Sequence, residues 1–204
     1  MDALRELTRK TDRGGDRALL DEVFDRCLVG TLSTVLDDEP WAIPILVVRD
    51  GDRLLLHGST GAGALRHAAA GAKVAVSAYL LDALVIAEAQ IDHSANYRSA
   101  VVCGICEVID GDERATVLDL FTGTLIPGRD LECPPHTARD IAQTLVLALP
   151  ITVGRWISKA RRGPAAPSET AWTGTIPVRR NYGAPQSDSS YPVPLSVERL
   201  VADQ

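Results

Sequence analysis

The stretch Leu54 to Gly71, LLLHGSTGAGALRHAAAG, sets His57, Ser59 and Thr60 among Gly58, Gly61 and Gly63, where an apolar run gives way to an alanine-rich one. A strand handing over to a helix through such a turn suits an anion. Exposed backbone N–H groups and the positive end of a helix dipole attract a phosphate, and small residues allow it close. Ser59 and Thr60 supply hydroxyls. Arg66, in the first turn or two of the helix, adds charge or is a solvated surface arginine. The same residues also suit an ordinary flexible connection, and a lone histidine such as His57 is more often structural. The glycine spacing is not GxGxxG, and no Lys-Ser/Thr pair follows, so neither a dinucleotide fingerprint nor a P-loop is present.

A second polar cluster is DHSANYRS, with His93, Tyr97, Arg98 and Ser99. Arg98 suits a phosphate contact or an ordinary pair with a carboxylate. His93 suits a loop histidine that packs on its neighbour strand. Cys103 and Cys106 stand in CxxC spacing, but SAVVCGICEVI reads as a strand. Residues three apart in a strand point to opposite faces, so the two thiols cannot share a metal. A redox CxxC would open a helix, which this one does not.

These residues need a scaffold. Leu19, Leu20, Val23, Phe24 and Cys27 repeat at helical spacing, which predicts a helix over 16–27. Three strands follow: 28–36, 40–49 and 53–58. Asp37-Asp38-Glu39 and Asp50-Gly51-Asp52 are the turns. Pro44 cannot donate to a ladder, which puts the second strand at an edge or a bulge. Residues 62–70 read as a short helix capped by Gly71. A fourth strand starts at 72, another covers 99–109, a helix contains Val117 to Leu125, and a last core strand precedes Ile151. Beyond Ser158 the chain is rich in Gly, Pro, Ser and Arg, and reads as a surface or partner wrap. There is no internal repeat. Hairpin order with few helices argues a β-barrel or sandwich with α additions.

The chain has 204 residues and a net charge of −6, so nucleic acid is a poor partner. No apolar run approaches the roughly 18 residues of a membrane span. The charged opening MDALRELTRKTDRGGDRALL predicts no secretory leader. A reduced cytoplasmic protein is expected, its cysteines small buried side chains.

In order and spacing, LLLHGS, the alanine-rich helix, HSANYRSAVVCG, LIPGR and WTGTIPVR resemble the pyridoxamine 5'-phosphate oxidase-like split-barrel flavoproteins. They are more narrowly similar to the nitroimidazole-resistance-like branch. The likeness covers about residues 16–180, leaving 1–15 as an arm and 181–204 as a tail. It implies a mainly β (α+β) fold: a six-stranded split β-barrel with short flanking helices, forming a homodimer with FMN between the subunits. Carried over, the backbone of Ile43, Pro44, Ile45 and Leu46 runs along the flavin ring. His57, Gly58, Ser59, Thr60 and Arg66 lie near the phosphate or ribityl chain. Tyr97, Arg98 and Ser99 close the site, and Trp172 covers the flavin or fills the dimer seam. Lys159 and Arg161 reach the other subunit's ligand or stand as solvated loop charges. Glu88 and Asp92 depart from the branch and lower anion affinity or reshape the substrate side.

The expected activity is hydride transfer through flavin N5 to or from a small flat substrate, with NADH or NADPH as a possible reductant. His57 or Tyr97 is the expected proton donor. Alternatives on the same scaffold are a non-catalytic flavin, deazaflavin or haem carrier, with His57 or His93 as the iron ligand, or a tailoring enzyme for one metabolite.

Overall fold

The computed structural model describes residues 11–202. The expected arm over 1–15 lies mostly outside the described residues. The chain runs α1 (Arg17–Arg26), β1 (Val29–Leu36), β2 (Glu39–Asp50), β3 (Arg53–Ser59), α2 (Gly63–Ala69), β4 (Lys73–Ile86) and β5 (Ser94–Ile105). Then come β6 (Glu107–Ile109), α3 (Asp112–Leu125), α4 (Ala138–Gln143), β7 (Thr144–Pro150), β8 (Trp156–Arg161), β9 (Gly174–Pro177) and α5 (Leu195–Ala202). The sheet order is β6-β7-β3-β2-β1-β4-β5-β8, with β9 added to β4. Six of these strands, from β7 to β5, form the split barrel. Closure is visible at Gly104 of β5, where a Cβ would stand 3.0 Å from Leu149 of β7.

Local chemistry sets the turns. Asp37 and Asp38 both take positive φ between paired Leu36 and Glu39, the twist a two-residue hairpin needs. Gly51 does the same between β2 and β3. Asp16 caps α1 by accepting from the Leu19 amide at 2.9 Å. Pro44 sits opposite Thr31 of β1, while β3 pairs with β2 only from Val47 to Asp50. Proline therefore stands where the strand has a locally open edge.

Two apolar clusters lie on opposite sides of the sheet. The inner one joins Leu32, Leu54, Leu56, Val76, Leu147 and Leu149 to Leu20, Val23 and Phe24 of α1. The outer one packs Val48, Leu55, Val146 and Ala148 against Val117, Leu118 and Phe121 of α3. α3 covers the outer face only over β2, β3 and β7.

The strands beyond Leu149 differ from the sequence expectation. Trp156–Arg161 is no wrap but a strand on β5, and Gly174–Pro177 pairs with β4. β5 also begins at Ser94, because pairing with β4 continues past an irregularity between Leu81 and Ala83. Short edge strands carry polar residues on their open side and so show no periodicity.

Arg98 is also corrected here. Its side chain is only 10% exposed and bonds Asp82, with Nε at 3.0 Å, and Glu22 of α1. The guanidinium is spent on this clamp, and its pKa is raised chiefly by the Asp82 hydrogen bond. Of the two readings of Arg98, the carboxylate pair is realised and the phosphate contact is not. Arg98→Ala is expected to lower the unfolding free energy by about 2 kcal/mol, since it strands two half-buried carboxylates. Arg98→Lys should restore only part of that, lacking the planar fork. Equal denaturation midpoints for wild type and the alanine variant would remove the clamp from the argument.

Candidate flavin site

Cross-strand partners share a face, so the register sorts the expected residues. Ile43 faces inward with buried Leu32, and Ile45 packs on the inner core. Pro44 and Leu46 face outward, Leu46 against the α3 cluster. Tyr97 and Ser99 are also outward, opposite Leu81 and Tyr79 on β4 and opposite Arg161 and Lys159 on β8. His57 shares the outer face with Leu55 and meets Phe121, ring centroids 4.2 Å apart. The outer face thus carries His57, Ser59, Pro44, Leu46, Tyr97 and Ser99. Gly58 and Arg98 belong to the inner one.

His57 is held by β3 pairing to Val146. Its Nδ1 is buried without a hydrogen-bond partner. Burial lowers its pKa, and the charge of His136 adds to that. The imidazole is therefore neutral near neutral pH, with an uncommitted nitrogen.

The turn after β3 differs from the simplest phosphate cradle. The Thr60 amide donates to the Gln143 carbonyl at 3.0 Å, and the Ala62 amide to the Ser59 carbonyl at 2.9 Å. Ser59 Oγ accepts from the Gly61 amide at 3.2 Å. These groups close the turn on itself. The free donors are the first amides of α2, since Ala62 provides no side-chain cap. A Cβ at Gly63 would meet open space. Gly58 serves packing instead: a Cβ there would stand 2.6 Å from Leu65 Cδ1. Arg66 has no side-chain partner among the described residues and is exposed.

One chain does not bring the two groups together. β2, β1 and β4 lie between β3 and β5 along the sheet, so the two groups stand on separate parts of the outer face. Between them the outer face is uncovered, with exposed Val29, Tyr79 and Leu81. Tyr79, 69% exposed, was missed by the sequence reading, although its alternation with buried Ala78 in AVSAYLL was the available signal. Lys159, expected in a loop, is a strand residue beside Ser99. Trp172 is also exposed, packs on Gly174 and sits near Ile86, away from the His57 turn.

Glu88 accepts a hydrogen bond from Thr170 at 2.6 Å and ties the C-terminal segment to the β4–β5 hairpin. Its pKa is lowered by Ser168 and Thr170. His93 Nδ1 stands 3.0 Å from the Ala89 carbonyl, within its own loop. Cys103 and Cys106 are free thiols. Burial pushes Cys106 up to about 11. Among the described residues no cluster of metal-binding side chains converges, and no helix is long and apolar enough to cross a membrane.

Comparison with known proteins identifies the fold and the family. No curated protein matches the sequence. The solved FAD and haem binding protein from Mycobacterium smegmatis is 36% identical, with a TM-score of 0.88 over 93% of this chain and 97% of its own. The flavocytochrome Anf3 from Azotobacter vinelandii is 26% identical, with a TM-score of 0.85 over 95% of this chain and 94% of its own. A protein assigned to 5-nitroimidazole antibiotic resistance from Bacteroides thetaiotaomicron shares the fold at 17% identity and TM-score 0.60, covering 71% of this chain and 84% of its own. The family described as pyridoxamine 5'-phosphate oxidase matches residues 16–154, and the chain belongs to that family of flavin-binding split barrels.

Proposed function

We propose that this protein is a dimeric oxidoreductase that binds FAD and haem. The observation that carries the reading is the 36% identity to the M. smegmatis FAD and haem binding protein over 93% of this chain. FAD therefore takes the place of the FMN expected from the sequence. The fit rests on this chain's own groups. The uncapped start of α2, Ser59 and unpaired Arg66 suit the flavin-side phosphate. Tyr97, Ser99 and Lys159 suit the ring or ribityl chain from the outer face of a second subunit. The uncovered face around Val29, Leu84 and Ile176 is apolar and exposed, and a second copy is the occupant that joins both groups.

For haem, the fitting group is His57. It is neutral, walled by Phe121, and has a buried nitrogen without a partner. A neutral imidazole is the form that ligates iron. His93 is solvent-exposed, and its Nδ1 is engaged in its own loop, so it is the weaker ligand. Bound flavin supplies hydride chemistry and bound haem single-electron chemistry. The protein orients them, excludes water at His57, and offers the Tyr97 hydroxyl as a proton source at the outer face. The physiological substrate is then a small flat molecule, with NADH or NADPH as donor.

Purified protein should carry flavin absorption and a Soret band, and its extracted flavin should be FAD by mass. His57→Ala should abolish the Soret band and keep the flavin, while His93→Ala keeps both. A protein that takes up neither flavin nor hemin on incubation would sink the reading. A separate expectation concerns pH. The folded pKa of His57 lies below the unfolded value of about 6.5. Its contribution to stability is then full above that value and is lost as pH falls through the folded pKa. The melting temperature of haem-free protein should drop as pH falls below about 6.5, and His57→Leu should flatten that drop. Parallel pH profiles for the two proteins would contradict it.

A further inference from the structure

β4 has a gap in its pairing. β1 pairs with it from Val74 to Ser77, and β9 from Ala83 to Ile86. Between them, Tyr79 to Asp82 border a cleft of about 480 Å³ closed by Arg26 of α1 and by Val178, Arg179, Arg180 and Asn181. That volume falls in the range of small-molecule sites. The segment after β9 is pinned there: the Val178 amide donates to the Asp82 carbonyl at 2.9 Å, and Arg180 donates to the Arg26 carbonyl at 2.9 Å.

The charge in this cleft is unusual for a chain of net charge −6. Arg26, Arg98, Arg179 and Arg180 line it. Against these four guanidinium groups stand two carboxylates. Asp82 and Glu22 hold Arg98, and Glu22 also lies 3.5 Å from Arg26. Among the described residues Arg179 has no side-chain partner, and the Arg180 guanidinium bonds only a backbone carbonyl. Two positive charges are left without a carboxylate. Beside them is the exposed Tyr79 ring, and Asn181 adds an amide able both to donate and to accept.

We infer that this cleft is the seat of the adenosine monophosphate moiety of a dinucleotide, its phosphoryl charge met by Arg179 and Arg180 and its adenine laid on Tyr79. FAD is the favoured source. Tyr79 and Leu81 are the cross-strand partners of Ser99 and Tyr97, so the mouth of the cleft borders the flavin side of the sheet. The inference rests on the flavin reading above and adds to it the residues that select FAD over FMN. Charge-assisted contacts and base stacking are the sequence-tolerant means of holding such a group.

The test measures dissociation constants of FAD, FMN and NADPH for the flavin-free protein by fluorescence and calorimetry. Wild type should bind FAD at least tenfold more tightly than FMN, and AMP alone should compete with FAD but not with FMN. Arg179→Glu should weaken FAD about tenfold or more and leave FMN unchanged. Arg199→Glu, the same charge change on exposed α5, should alter neither. Equal affinity for FAD and FMN, with Arg179→Glu silent, would overturn the cleft and leave the flavin reading standing. Failure to bind either flavin would remove both. An Arg179→Glu effect confined to NADPH would show that the cleft serves another ligand and would equally overturn the assignment to FAD.

Discussion

A single antiparallel sheet has to bury two faces, and this chain has helices enough for only one and a half. The inner face closes around α1 and the barrel itself. The outer face is roofed by α3 over β2, β3 and β7 and then stops. Exposed apolar side chains on β1 and β4 are costly in water at about 25 cal/mol per Å². The open half of the sheet is thus both the liability of the fold and the place where function can be added. His57 stands under the edge of the roof. Tyr97, Ser99 and Lys159 stand beyond it.

Electrostatics follow from the same geometry. Arg98 is on the inner side, where a lone charge would be intolerable, and Asp82 with Glu22 neutralise it while tying α1 to β4 and β5. That clamp consumes the cation that a reading of the sequence would most readily offer to a phosphate. Among the described residues, the cations that form no carboxylate pair include Arg66 on α2 and Arg179 and Arg180 after β9. Charge available for ligands is what remains after the core has settled its own pairs.

Much of this was legible from residue types. Helical spacing marked α1, the Asp37-Asp38 and Gly51 turns marked the hairpins, and Gly71 marked the end of α2. The opposite facing of Cys103 and Cys106 followed from the strand period and holds: Cys106 joins the inner core, and Cys103 pairs with outward Ala75. What was not legible depended on tertiary pairing. β8 and β9 are short, polar on one side and taken up at edges, so no period announces them. The parity of Arg98 was in principle readable, since it alternates with Tyr97 and Ser99, but which side was inward required the position of α1. Gly58 looked like part of a phosphate turn, yet its size is set by Leu65.

The glycine turn itself shows how one stretch divides its work. Ser59, Thr60, Gly61 and Ala62 bond one another or Gln143, which fixes the exit of β3 and engages the backbone amides of Thr60, Gly61 and Ala62. Rigidity there has two effects on either side. Upstream, it holds His57 on the outer face, under Phe121 and away from water. Downstream, it sets where α2 begins, a helix whose first amides have no side-chain cap at Ala62. A flexible connection would fix neither direction. The turn is self-satisfied, and the groups on either side of it, the His57 Nδ1 without a partner and the uncapped amides that open α2, are the ones left with bonds to give.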